Sequence, residues 1–115
     1  MVDEIDAVAR FGALAHPARL KAFRLLIAAG PSGTPSGEIA EALQVPPTAM
    51  SFHLAALERS GLVSARRQGR QILYAVQFEE VRKLLSFLTE DCCGGRPELC
   101  GAIAAPRKRR REEKV

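Results

Sequence analysis

The stretch TPSGEIAEALQVPPTAMSFHLAALERSG, Thr34 to Gly61, restricts the fold of this chain more than any other. Thr34 is placed to cap a helix and Pro35 to take its first position, where a missing N–H has no consequence. Ile39, Ala40 and Leu43 then share one face, and Gln44-Val45-Pro46 ends the helix. Pro47 starts a second helix in which Met50, Leu54 and Leu57 recur at i, i+4, i+7, the spacing of one buried stripe. Gly61 follows as the glycine that closes it. Two short helices about a tight turn are the arrangement that lets the second enter a DNA major groove.

At 100° per residue, Thr48, Phe52, Ala55, Ala56 and Arg59 point away from the stripe, with Ser51 and His53 on its flanks. Small residues let a helix approach base edges, Thr or Phe packs on a thymine methyl, and Arg reaches phosphate or guanine. An ordinary amphipathic helix with one exposed Phe has the same pattern, so the following segment matters. Leu62 to Arg67 and Arg70 to Val76 read as strands about Gln68-Gly69, a short connection carrying a hairpin glycine. Arg66, Arg67 and Arg70, with Gln68 and Gln71, gather at or beside the tip. A solvated charged turn would look alike, but directly after a helix-turn-helix the hairpin reads as a wing suited to the phosphate backbone.

The flanking segments are helical. Asp3 to Leu14 carries Asp3, Glu4 and Asp6 in its first turn, opposing the helix dipole. Ile5, Val8, Ala9, Phe11 and Leu14 make it apolar on more than one side, so it must be sandwiched, within its subunit or against another. Pro17 to Ala28 offers Leu20, Phe23, Leu25, Leu26 and Ile27 to the core, and Gly30 to Gly33 is a turn. Phe78 to Thr89 places Phe78, Val81, Leu85 and Leu88 on one stripe with Leu84 beside it. That apolar surplus predicts a dimer interface built from Ile5, Val8, Phe11, Val81, Leu84, Leu85 and Leu88. The expected fold is mainly α with a β-hairpin wing, a winged helix-turn-helix in the order α-α-α-α-β-β-α, forming a homodimer.

Length allows one domain of 115 residues, divided as 1–89 for DNA binding and dimerisation, 90–101 as a cysteine-rich inducer segment and 102–115 as a disordered basic tail. The net charge of +4 comes wholly from that tail, where six basic residues face Glu112 and Glu113. The tail either solubilises the chain or adds salt-sensitive DNA affinity. Over residues 1–105 charges balance, so DNA binding must rest on local placement of charge. The absence of a long apolar run or a signal-peptide layout points to the cytoplasm and no membrane. Paired catalytic carboxylates, a phosphate-cradling loop and a nucleophile–base arrangement are absent, so no enzyme and no organic cofactor are expected. The enzymatic rival, a thiol-dependent arsenate reductase, would have only Gly94-Gly95-Arg96 as an oxyanion loop.

Ala15-His16-Pro17-Ala18-Arg19-Leu20, Gly37-Glu38-Ile39-Ala40, Met50-Ser51-Phe52-His53-Leu54 and Ser60-Gly61-Leu62-Val63 resemble the ArsR/SmtB family of metal-responsive repressors. Gly69, Arg70 and Tyr74 of the wing strand extend the resemblance, which runs from about Asp6 to about Leu88. It implies a homodimeric repressor that sits on an inverted-repeat operator in double-stranded DNA until an inducer releases it. The chain departs from the family pattern at His16, where an Asp cap is common, at Pro46, which replaces a Ser cap, and at Phe52, which replaces a polar or basic residue.

Cys92, Cys93 and Cys100, the only cysteines, lie within nine residues past the last helix, with Gly94, Gly95 and Pro97 between them. Soft thiolates select soft ions. Trivalent arsenic or antimony takes three sulfurs in a pyramidal site and needs no fourth ligand. The arsenical repressors of the family whose site follows the last helix are similar in this placement. Other readings stay open: methylarsenite, which engages two thiols; zinc or cadmium, where tetrahedral zinc needs Asp91, Glu98 or a partner residue as fourth ligand; thiol redox sensing; or an inert cluster. A disulfide is disfavoured in the cytoplasm, and adjacent cysteines bridge with strain. His53 and His16 read as a packed, hydrogen-bonded side chain and a cap or surface residue.

Overall fold

The computed structural model describes residues 3–91. Its elements are helices α1 (Glu4–Leu14) and α2 (Pro17–Ala29), strand β1 (Thr34–Pro35), helices α3 (Ser36–Leu43) and α4 (Pro47–Arg59), strands β2 (Val63–Gln68) and β3 (Gln71–Val76), and helix α5 (Phe78–Ser86). A π-helical turn, Phe87–Asp91, extends α5. Cys92, Cys93, Cys100 and the basic tail lie outside the described residues.

Local chemistry sets most boundaries. Asp3 caps α1 by accepting from the Asp6 N–H at 2.8 Å, and His16 Nδ1 caps α2 by accepting from the Ala18 N–H at 3.1 Å. Pro17 and Pro47 sit where their helices begin. Between α3 and α4, Gln44 takes the left-handed conformation at φ 56°, ψ 46°. Its N–H bonds the Glu41 carbonyl and the Val45 N–H bonds the Ala40 carbonyl, a Schellman closure that Pro46 seals.

Thr34 does not cap α3, as the sequence pattern would suggest. Thr34 and Pro35 form an edge strand that pairs antiparallel with β3 as Thr34↔Tyr74 and Pro35↔Leu73, and α3 begins at Ser36. Proline, lacking an N–H, is tolerated at such an edge. The hairpin is therefore part of a three-stranded sheet in the order β1-β3-β2. Gln68 pairs with Gln71, so the turn residues are Gly69-Arg70 and not Gln68-Gly69. Positive φ at the first of these alone, 64° at Gly69, fits a II′-type hairpin turn.

Leu26, Ile39, Met50, Leu54, Leu57, Leu62 and Val63 are fully buried and join α2, α3, α4 and β2 in one core. Leu20 and Ile27 of α2 face outward instead of joining it; Ala22, Phe23 and Leu26 form the inner face. In α1 the small residues Ala7 and Ala13 turn inward, while Ile5 and Val8 are 79% and 66% exposed. Leu84, expected at a dimer interface, is 4% exposed and closes its own subunit's core.

Candidate nucleic-acid interface

The Met50, Leu54, Leu57 stripe fixes which side of α4 remains outside. With those three fully buried, Thr48, Ser51, Phe52 and Arg59 are exposed, whereas Ala55 and Ala56 are half-buried. Phe52 stands out at 63% exposure, an aromatic ring with no core role. Arg66, Arg67, Gln68, Arg70 and Gln71 of the hairpin are also exposed. Arg66 is partly committed, since Nη2 donates to the Ser32 carbonyl at 3.2 Å and ties β2 to the turn before β1. Ser60, Gly61 and Leu62 join α4 to β2, and the two elements pack together. The wing base is fastened by the Gln77 N–H, which donates to the Leu62 carbonyl at 2.8 Å, and by Gln77 Nε2 to the Gly61 carbonyl at 3.1 Å.

A residue that sequence spacing does not point to stands beside α4. Arg19 of α2 donates from Nε to His53 Nδ1 at 3.1 Å, and its Cζ lies 6.0 Å from the centre of the Phe52 ring. The His16 and His53 rings are 4.5 Å apart, which accounts for both histidines as capping and packing groups. Burial, then the nearby His16 and Arg19, lowers the His53 pKa below its usual 6.5, so Nδ1 stays available as an acceptor. Arg19 lies 34 positions before His53, and the HTH pattern gives no hint of a partner on the preceding helix.

Behind the recognition helix, Arg10 of α1 links three elements. Its Nε donates to the Ser60 carbonyl at 2.9 Å and its Nη1 to Glu80 Oε1 of α5 at 3.0 Å, with the Arg10 side chain 11% exposed. The Arg10 hydrogen bond, more than any other influence, holds Glu80 below the ordinary carboxylate value. Gly61 adopts φ 91°, a conformation that favours glycine, and a Cβ there would lie 2.8 Å from Arg10 Nη2, so a side chain would also push on the guanidinium. In the sheet, burial and then the charge of Glu58 raise the Tyr74 pKa.

Of the expected interface residues, Ile5, Val8, Phe11, Leu85 and Leu88 are exposed, Val81 is half-buried, and Leu84 belongs to the core. Among the described residues, no three His, Cys, Asp or Glu side chains are grouped to hold a metal ion, and no helix is long and apolar enough to cross a membrane.

Residues 14–65 match the model of a helix-turn-helix domain family. The HTH-type transcriptional regulator YgaV of Escherichia coli is 32% identical over 88 residues, covering 76% of this chain and 87% of that protein. The transcriptional activator HlyU of Vibrio cholerae is 30% identical over 87 residues, covering 76% and 78%. Among solved structures, the homodimeric winged helix-turn-helix DNA-binding domain of Mb0332 from Mycobacterium bovis, a possible ArsR-family transcriptional regulator, superposes with a TM-score of 0.59. It is 35% identical, with 81% of this chain and 88% of that one covered.

Proposed function

Because this chain belongs to the ArsR family of winged helix-turn-helix transcriptional regulators, we propose that it is a cytoplasmic homodimeric repressor of an inverted-repeat operator, released when trivalent arsenic or antimony binds Cys92, Cys93 and Cys100. The relatives carry the names of transcriptional regulators, and the chain is a regulator and not an enzyme. The observation that carries the DNA-binding reading is the exposed row Thr48, Ser51, Phe52 and Arg59 on a helix whose opposite stripe is wholly buried. Those side chains stand outside the core, and they are the types that read grooves and phosphates. What supports the dimer is the outward placement of the large apolar residues of α1 and of Leu85 and Leu88, together with the homodimeric Mycobacterium domain.

The sensing half rests on donor chemistry. Three thiols close in sequence match the three-sulfur pyramidal site of the trivalent ion, each exchanging for a hydroxyl with loss of water. Cys92 follows directly on the turn that extends α5, Phe87–Asp91. Gathering the three cysteines on one ion then acts on the C-terminal end of α5, a helix whose first turn Glu80 and Arg10 connect to the carbonyl end of α4. Release is therefore allosteric, a change in how the two recognition helices are held, with no obstruction of the DNA face.

The test is an operator-driven reporter with the wild type and with Cys92→Ser, Cys93→Ser and Cys100→Ser, each exposed to arsenite, antimonite, methylarsenite, zinc and cadmium. An inorganic inducer predicts that every mutant still represses and none is induced. One dispensable cysteine would assign a methylated arsenical. A wild-type response to zinc or cadmium, with none to arsenite, would remove the arsenic assignment and leave the regulator reading intact. Because the Vibrio relative is named an activator, the sign of regulation is read in the same assay from the protein-free control.

A further inference from the structure

We propose that Arg19 binds a DNA phosphate, placed at the exposed face of α4 by His53 and Phe52. The inference rests on the DNA-binding reading and adds a residue from outside the helix-turn-helix pair. A guanidinium has five N–H donors in a rigid fork. The Nε–H of Arg19 is taken by His53 Nδ1 at 3.1 Å, which fixes the plane of the group at one end. The Phe52 ring, 6.0 Å from Cζ and itself on the outer side of α4, bounds the group on another side. Among the described residues, no carboxylate pairs with Arg19, and no hydrogen bond takes its two terminal nitrogens.

Four N–H donors are thus aimed away from the anchored Nε on a cation without a counter-charge, and they stand next to Phe52, the one large apolar side chain exposed on α4. A phosphate oxygen pair is the ligand that a planar fork of this kind matches. The arginine of a purely structural pair would end on a carbonyl or a carboxylate, as Arg10 does with Ser60 and Glu80. Gripping a phosphate there would fix the register of α4 in its groove without reading sequence.

The experiment measures Kd of the purified full-length protein for a mixed-sequence duplex of about 30 base pairs, long enough for two half-sites a turn apart, over a series of salt concentrations. Arg19→Ala should weaken binding roughly tenfold or more, the scale of a missing charged hydrogen bond, and equally on every sequence. The slope of log K against log salt should become shallower by about 0.9 for each phosphate that is no longer neutralised. Arg19→Lys should restore the slope, because the charge returns. Where the alanine protein does not fold, Arg19→Gln, which keeps a donor for His53, should give the same shallower slope. Wild-type affinity and slope in the charge-removing variants would overturn this inference alone, as would a weakening confined to particular base pairs with the slope unchanged. A wild type that binds no duplex would overturn the DNA-binding reading and this inference with it.

Discussion

His53 is held as a neutral imidazole, because burial and the neighbouring His16 and Arg19 all disfavour its charged form. The unfolded chain takes up the proton near pH 6.5, and the folded chain resists it until lower pH. The stability this group contributes is therefore complete above about pH 6.5 and is lost as pH falls through the depressed folded-state value. Urea midpoints measured from pH 7.5 to pH 5 should fall more steeply for the wild type than for His53→Gln. Parallel curves would mean that His53 titrates alike in both states. Single residues are unevenly legible in the sequence. Met50, Leu54 and Leu57 are periodic and local, and all three are fully buried. Arg19 belongs to the family motif, but its pairing does not show there because its partners come from a helix more than thirty residues away. Gln44-Val45-Pro46 reads as a helix end, but the left-handed closure at Gln44 does not show, because glycine, and not glutamine, usually signals it.

Among the elements, the helices announce themselves through apolar spacing and proline starts, and their starts agree with the structure within a residue. Helix α5 gives way at Ser86 to a π-helical turn where the pattern runs on to Thr89, and the cap of α3 moves from Thr34 to Pro35. The start of that helix is misread at Thr34 because an edge strand of two residues exists only through its pairing with Tyr74 and Leu73, some forty positions on. Periodicity also overcounts the core of α2, since Leu20 and Ile27 fit a helical stripe yet lie on the exposed side. In the wing, register decides the chemistry. The Gly69-Arg70 turn puts Arg70 at the tip, Arg67 faces solvent opposite Ile72, and Arg66 shares its donors with the Ser32 carbonyl. Replacing Arg67 and Arg70 by Ala should lower affinity for all duplexes alike and make the salt slope shallower by about 0.9 per phosphate left without its cation. Arg66→Ala should change the slope less. Titrations of the variants across salt check both, and an unaltered slope in the double variant would separate the wing from DNA binding.

For the whole molecule, the proposed regulation depends on connecting the C-terminal cysteine segment to DNA-reading helices in two subunits. In the proposed dimer, the outward Ile5 and Val8 of α1 and Leu85 and Leu88 beyond the core would supply the apolar surface, each such side chain contributing about 1.5–3 kcal/mol when fully buried. Arg10 ties α1 to Ser60 and to Glu80 of α5, so the two helices bearing that surface are fastened to the end of α4. A sensor that alters the α5 end can then change the mutual setting of two recognition helices, and both half-sites must be met at once. Such coupling is reciprocal, and ligand-driven changes of affinity commonly span about 5- to 150-fold. The most direct measurement is the equilibrium anisotropy of a labelled operator duplex titrated with the reduced, purified protein, alone and with saturating arsenite. The expected result is a dimer-sized complex whose Kd rises by a factor in that range with arsenite, and an arsenite affinity lowered by the same factor on the operator-bound protein. Equal operator Kd with and without bound arsenite would contradict it.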